Sequence, residues 1–116
     1  RQEFYSNCKG LLNDGGVLVT QNGVPFVQGD ELKSSVGHFR SLFDDAGCYV
    51  ISCPTYALGF MALGWATNDA DLRWQSLDTI QQRFDALGID TDYYNPSIHV
   101  ASFALPNFMR KIIDGT

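Results

Sequence analysis

The sequence is short of positive charge and lacks the patterns that mark disulfide-rich and metal-binding proteins. Its 8 Lys and Arg residues stand against 13 Asp and Glu residues, a net charge of -5, so it has no general attraction to nucleic acid or to an anionic membrane. A small polycation would suit that charge better. The three cysteines form no Cys-x-x-Cys pair and have no histidine at metal-ligand spacing, which argues against a disulfide framework or a zinc site.

The chain also lacks a long apolar segment. No run reaches the roughly 18 apolar residues that a membrane span needs, and the first residues do not have the layout of a signal peptide. Cys48 and Cys53 lie in an apolar run, where cysteine usually behaves as a small buried hydrophobe. We therefore expect reduced thiols and a cytoplasmic protein.

What the chain does have is enough apolar material for one compact core. It contains 116 residues, of which 45% are hydrophobic, and this is too short for a two-domain enzyme. No internal repeat, low-complexity stretch or linker divides it. Residues 1–116 are expected to form one unit or a piece of one.

The first half alternates between helical and strand patterns. Apolar residues at helical spacing predict a helix over residues 2–13 that starts abruptly and stops at Gly15 and Gly16. Val17 to Gln21 is a short apolar run, typical of a strand buried on both faces of a parallel sheet. Asp30 is placed to cap a second helix over about 31–44.

Two further strands are predicted in the middle of the chain. Cys48 to Cys53 is one, and the apolar stretch Phe60 to Ala66 follows after only six residues. That connection is too short for a helical crossover, so the third strand should return antiparallel to the second. Three strands make a poor independent α/β domain, which suggests the end of a larger doubly wound sheet.

Helical patterns return in the last third. Ser76 is a plausible cap for a helix that ends at Gly88, and Pro106 suits the first turn of a closing helix. Between them, the Asn95-Pro96 turn predicts an extended segment over residues 98–103. The Asp44-Asp45 pair ends the second helix, where the helix dipole disfavours negative charge, so we interpret it as part of a turn and not as a catalytic dyad.

Four blocks carry a resemblance to a known family, and they fall in order from about residue 2 to 113. The blocks are Gly15-Gly16-Val17-Leu18-Val19-Thr20-Gln21-Asn22-Gly23, Pro54-Thr55-Tyr56 with Gly59, Trp65-Ala66-Thr67-Asn68-Asp69, and Tyr93-Tyr94-Asn95-Pro96-Ser97-Ile98-His99 leading to Phe103-Ala104-Leu105-Pro106. In these blocks the sequence resembles the bacterial members of the spermidine synthase family.

The resemblance implies a fold, a reaction and an incomplete site. The implied fold is the C-terminal portion of a Rossmann-like, methyltransferase-type doubly wound sheet, with three strands, the last antiparallel, flanked by helices. The implied enzyme transfers an aminopropyl group from decarboxylated S-adenosylmethionine to a diamine such as putrescine. The family's Gly-rich co-substrate turn and its aspartate-rich loop, which supplies the base, have no match here. We therefore expect a C-terminal fragment of the catalytic domain, inactive alone, without a catalytic residue, bound cofactor or metal.

Two residues are carried over as substrate-binding. Gln21 matches a family glutamine that faces the diamine, although an amide at a strand end can also satisfy local backbone groups. Tyr56 matches a family tyrosine that borders the same amine, and the alternative is a half-buried loop aromatic without a binding role. Ala57-Leu58 departs from the family pattern, which leaves the preferred acceptor open. Trp65 and the lone His99 are interpreted as structural.

Two other classes compete with this reading. An S-adenosylmethionine-dependent methyltransferase shares the sheet topology, including an antiparallel strand near the end, so fold analogy alone does not exclude it. A non-catalytic module could instead use an exposed sheet edge and apolar faces to bind a second copy. Even under the first reading, the open edge predicts a dimer or another homo-oligomer for the chain.

Overall fold

The computed structural model describes residues 2–25, 27–53 and 60–115, and these ranges contain three strands and five helices. In chain order the elements are α1 (Gln2–Leu11), β1 (Val17–Gln21), α2 (Gly29–Leu42), β2 (Asp45–Ser52), β3 (Phe60–Thr67), α3 (Leu77–Leu87), α4 (Pro96–Ser102) and α5 (Asn107–Asp114). No helix within the described ranges has the length and apolar character needed to cross a membrane.

The three strands form one sheet in the order β1-β3-β2. Strand β3 is antiparallel to both neighbours, so that Leu63 lies opposite Gln21 on one side and opposite Tyr49 on the other. The predicted antiparallel return of the third strand is confirmed. Because β3 opposes both of its neighbours, β1 and β2 run in the same direction, as in a doubly wound α/β sheet.

The prediction that both faces of β1 are covered is wrong. The strand was predicted to be buried on both faces of a parallel sheet, but it pairs antiparallel with β3, and within the described residues β3 is its one strand neighbour. Val19, in the middle of β1, is 44% exposed. The apolar run correctly predicted a strand, but an apolar sequence cannot show whether its faces are covered.

One face of the sheet, here called the helix face, packs against α2. Leu32, Val36 and Phe39 project from α2 and are fully buried. They meet small side chains of β2 and β3, among them Cys48 and Ala62, and α5 closes the same core with Met109. Small residues on the strands let the helix lie close to the sheet, and this burial is the main source of stability in the chain.

The opposite face, here called the aromatic face, carries rings from β2 and β3. Tyr49 and Trp65 both contact Phe103, which follows α4, with ring centroids 5.4 and 5.5 Å apart. Helix α3 packs on α4. Trp65 is partly buried in this cluster, so its predicted structural role agrees with its packing.

The observed helix ends test the caps and stops predicted from the sequence. Helix α3 begins after Ser76, whose side chain accepts a hydrogen bond from Thr79 N, and it ends at Gly88 with a left-handed φ of 61°. Both signals were predicted. Helix α2, however, begins at Gly29 without a side-chain cap, so the predicted capping role of Asp30 is wrong.

The predicted extended segment over residues 98–103 is also wrong, because most of it lies in α4. Asn95 was read as part of a turn, but its side-chain oxygen accepts a hydrogen bond from Ile98 N at 2.8 Å. Pro96 occupies the first turn of the helix. A capping asparagine followed by proline is a favourable helix start, and it outweighs the β-branched residues that follow.

Of the Asp44-Asp45 pair, only Asp44 lies in the bend between α2 and β2, where both were expected. Asp45 is the first residue of β2, and its carboxylate binds the Arg73 guanidinium. Of the two cysteines expected to be buried, Cys48 is buried and Cys53 is only partly so.

Candidate functional site

The carboxyl ends of β1 and β2 meet at one edge of the sheet, because the two strands run in the same direction. Gln21 ends β1, Ser52 ends β2, and Phe60 begins β3 at the same edge. This edge is where doubly wound sheets bind their ligands. Gln21 and Tyr49 both lie opposite Leu63, so the side chain of Gln21 is on the aromatic face, where it is exposed.

The turn after Gln21 is held against β3 by a pair of backbone hydrogen bonds. Asn22 N donates to Ala62 O, and Ala62 N donates to Gly23 O, each at 2.9 Å. Gly23 has a φ of +77°, a conformation that favours glycine. Val24 N then donates to Gln28 Oε1 at 2.8 Å. The backbone on the carboxyl side of Gln21 is therefore fixed at several points.

The second predicted site residue, Tyr56, falls within residues 54–59 and lies outside the described residues. The assignment of Gln21 and Tyr56 to an amine site therefore stays a prediction. What the structure does give is the location of Gln21, which is exposed at the carboxyl end of β1 and not buried in the core.

Two neighbouring clefts lie between β2 and α4. One has a volume of about 280 Å³ and lies among aromatic rings, and the other, of about 440 Å³, reaches the end of β2. The shared wall consists of Ile51, Tyr93, Ile98 and Ser102. The phenol oxygen of Tyr93 accepts a hydrogen bond from Ser52 N at 3.1 Å, which joins the loop before α4 to the end of β2.

Polar groups are few in the smaller cleft. Tyr94 OH lies 2.7 Å from His99 Nδ1, so His99 pairs with a phenol. Burial removes water from the imidazole and lowers the pKa of His99, and the same effect raises the pKa of Tyr49. Trp65 Nε1 is buried and has no partner within the described part of the chain.

The described residues place binding groups at this edge, among them the exposed amide of Gln21. They contain no cluster of three or more His, Cys, Asp or Glu side chains able to hold a metal ion. Cys48 lies on the helix face, and burial raises the pKa of its thiol to about 11, which keeps it protonated near neutral pH. The edge can therefore bind and orient a polar ligand.

Sequence reasoning missed Thr20 and Asn22, which flank Gln21 on the other face. Thr20 Oγ1 donates to Asn22 Oδ1 at 2.9 Å, and Asn22 is only 1% exposed. Gly64, in the middle of the apolar β3, was the available signal. A glycine inside a strand often marks a close approach by another group, and here Thr20 and Asn22 fill the space beside it.

Comparison with known protein families gives a match over most of the chain. Residues 1–76 match the model of the spermine/spermidine synthase domain. The polyamine aminopropyltransferase of Ruegeria sp. (strain TM1040) is 47% identical over 109 residues, and that of Pseudomonas syringae pv. tomato is 43% identical over 113 residues. These matches cover 94% and 97% of this chain but only 38% and 40% of the relatives. The chain thus spans about two fifths of their length.

Solved structures agree with the sequence comparison. A spermidine synthase in complex with the transition state analogue AdoDATO superposes with a TM-score of 0.85 and 27% identity, over 100% of this chain and 39% of that one. Spermidine synthase from Thermotoga maritima gives a TM-score of 0.84 and 28% identity, over 99% and 40% of the two chains. The Rossmann-like fold predicted from the sequence is thereby confirmed, and the chain belongs to the spermine/spermidine synthase domain family.

Proposed function

We propose that this chain carries the amine-facing wall of an aminopropyltransferase that makes spermidine from putrescine and decarboxylated S-adenosylmethionine. The observation that carries the proposal is the position of Gln21. It is exposed at the carboxyl end of β1, in a chain 47% identical over 109 residues to a polyamine aminopropyltransferase. The other 62% of such an enzyme, counted from the 38% that is matched, would supply the co-substrate pocket.

The reaction needs no covalent bond to this part of the enzyme. The lone pair of a neutral amine nitrogen attacks the carbon beside the sulfonium, the new C–N bond forms as the C–S bond breaks, and the bonding electrons pass to sulfur. The product nitrogen then loses a proton to a carboxylate base, which the family supplies outside this chain. Such a displacement depends on holding the nitrogen in line with the leaving sulfur.

Gln21 and Tyr56 are the residues proposed to hold the diamine. The amide oxygen of Gln21 can accept a hydrogen bond from an amine N–H, either directly or through a water molecule. The ring of Tyr56 can attract the same amine group when it is charged, and the tyrosine hydroxyl can accept a hydrogen bond from it. Both roles fit the net charge of -5, which favours a polycationic ligand over an anionic one.

The test compares the full-length enzyme that carries this chain with the isolated 116 residues. Each is incubated with putrescine and decarboxylated S-adenosylmethionine, and the products are identified by mass spectrometry. We expect spermidine from the full-length enzyme and none from the isolated chain. A product carrying a methyl group would support the methyltransferase alternative, and an inactive full-length protein would overturn the proposed reaction.

We also propose a cytoplasmic location and self-association of the chain. The odd number of cysteines, with Cys48 kept as a buried thiol, fits a reducing compartment. The open edge of β1 fits pairing with a second copy. Fractionation of cells that express the full-length enzyme tests the location.

A further inference from the structure

Gln21 lies in the last position of β1 between two residues whose side chains point to the opposite face. Strand side chains alternate between faces, so Thr20 and Asn22 lie on the helix face while Gln21 lies on the aromatic face. Thr20 Oγ1 donates to Asn22 Oδ1 at 2.9 Å. This bond joins the residues before and after Gln21 and spans the Gln21 backbone on the helix face.

Strand β3 is shaped to receive this pair. Gly64 lies opposite Thr20 in the register of the sheet. A Cβ atom added at Gly64 would lie 2.5 Å from Thr20 Oγ1, 2.7 Å from Asn22 Nδ2 and 2.9 Å from Phe39 Cε2. The absence of a side chain at Gly64 is therefore what lets Thr20 and Asn22 lie against the sheet.

Asn22 is a costly residue to bury at this position. It is 1% exposed, and its Nδ2 atom has no hydrogen-bond partner within the described residues. A buried donor without a partner lowers stability, and features of this kind concentrate where a function fixes the geometry. Because Oδ1 is used by Thr20 and the backbone by Ala62, Asn22 is held in one orientation despite this cost.

We propose that Thr20 and Asn22 are positioning residues that set the direction in which Gln21 presents its amide to the amine substrate. The inference rests on the proposed function of Gln21. Thr20 and Asn22 lie on the far face of the sheet from Gln21 and touch no substrate. Their bond fixes the backbone on both sides of Gln21, so the amide is oriented before the diamine arrives, which lowers the cost of ordering it on binding.

The test uses matched threonine variants of the full-length enzyme. Thr20→Val removes the hydroxyl but keeps the shape, and Thr20→Ser restores a hydroxyl donor. Thr67→Val is the control, because Thr67 is buried at the opposite end of the sheet, where its Oγ1 donates to Gly16 O at 2.8 Å. We expect Thr20→Val to raise the KM for putrescine roughly three- to tenfold, with the KM for decarboxylated S-adenosylmethionine unchanged.

Thr20→Ser should return the KM for putrescine to near that of the unchanged enzyme. Thr67→Val should leave both KM values unchanged. In a Gln21→Ala background, Thr20→Val should have no further effect on the KM for putrescine, because the two changes act through the same amide. Equal effects of Thr20→Val and Thr67→Val, or a fully additive double variant, would overturn the positioning role.

Hydrogen exchange of the Asn22 and Ala62 backbone amides separates this inference from the proposed reaction. We expect faster exchange in Thr20→Val than in Thr20→Ser or the unchanged enzyme. Unchanged exchange rates in Thr20→Val would show that the Thr20–Asn22 hydrogen bond does not fix the backbone around Gln21, whatever the activity of the variant. If the unchanged enzyme transfers no aminopropyl group, the proposed reaction fails, and putrescine binding measured by calorimetry in the same variants then decides whether Thr20 positions Gln21.

Discussion

Arg73 forms a two-point ion pair with Asp45 at the start of β2. Its Nε and Nη2 atoms donate to the two carboxylate oxygens at 3.1 and 2.6 Å, and the two side chains are only 14% and 12% exposed. The guanidinium also lies 4.6 Å from the ring of Trp74 and fills the space above Gly47. The pair therefore joins the segment after β3 to the first residue of β2.

The first prediction is that Arg73→Ala strongly destabilises the chain. Removing one partner of a largely buried ion pair leaves the other charge uncompensated. We expect the free energy of unfolding to fall by about 3 kcal/mol. Urea denaturation of the purified chain, followed by tryptophan fluorescence, measures the change.

Arg40→Ala is the matched control for this measurement. Arg40 also pairs with an aspartate, Asp114, at 2.9 Å, but those side chains are 43% and 42% exposed. Solvent screens such pairs, and they contribute less than about 1 kcal/mol. If the two arginine variants lose the same free energy of unfolding, burial of the Arg73–Asp45 pair does not increase its contribution to stability.

The second prediction concerns the diamine. In the full-length enzyme, Gln21→Ala and Tyr56→Phe should each raise the KM for putrescine roughly 10- to 100-fold, the effect of losing one hydrogen bond to a charged group. The KM for decarboxylated S-adenosylmethionine should change much less, because both residues are assigned to the amine side. Steady-state kinetics with each substrate varied in turn gives both values.

Val19→Ala is a suitable control for Gln21→Ala, because Val19 lies two residues earlier on the same face of β1 and is 44% exposed. It should leave both KM values near those of the unchanged enzyme. If Gln21→Ala weakens the two substrates equally, the residue supports the fold of the strand end and does not bind the amine.

The third prediction concerns pH and the packing of α4. His99 is partly buried between Tyr94 and Phe103, and loss of water lowers its pKa in the folded chain. The unfolded chain therefore binds the proton more tightly, so stability is complete above the ordinary pKa of about 6.5 and is lost as the pH falls below it. The urea midpoint should be lower at about pH 5 than at about pH 7.5.

The variant His99→Gln identifies the source of this pH dependence. Glutamine does not titrate, so the part of the decrease that comes from His99 should disappear, although the variant is expected to be less stable at every pH. A decrease of the same size in His99→Gln and in the unchanged chain would assign the effect to other groups.

Local signals in the sequence predicted much of the fold, because they act over a few residues. The cap at Ser76 and the stop at Gly88 both depend on groups within one helical turn, and both are present. The start of α4 was missed although its signal is equally local. Asn95 can cap a helix or begin a turn, and the sequence does not say which use of its side chain prevails.

The pairing of strands that are distant in the sequence was harder to predict. The short connection predicted that β3 pairs with β2, but it carries no information about the other side of β3, where β1 lies. The same limit applies to the site. The strand end at Gln21 was readable from the sequence, whereas the contact of Thr20 and Asn22 beside Gly64 depends on that unpredicted pairing. Tyr56 stays a prediction.

The outer edge of β1 gives the last prediction its physical basis. Within the described residues, β1 has one strand neighbour, β3, which leaves the backbone groups on its other side without a strand partner. Apolar side chains are also exposed on β1 and α1, with Val19 at 44%, Phe4 at 64% and Leu11 at 86% exposure. Water can satisfy the backbone of an edge strand but not these side chains.

The fourth prediction is that the isolated chain self-associates through β1. Two copies related by a two-fold axis can pair their β1 edges antiparallel, which satisfies the backbone and covers Val19 in both. Light scattering at micromolar concentration should give a dimer or larger assembly, with an interface above about 1,000 Å². Val19→Lys places a charge on that edge and should shift the chain to monomer, whereas Val27→Lys, at an exposed position outside the sheet, should not. A monomer before any substitution would contradict the prediction and show that the exposed edge is tolerated.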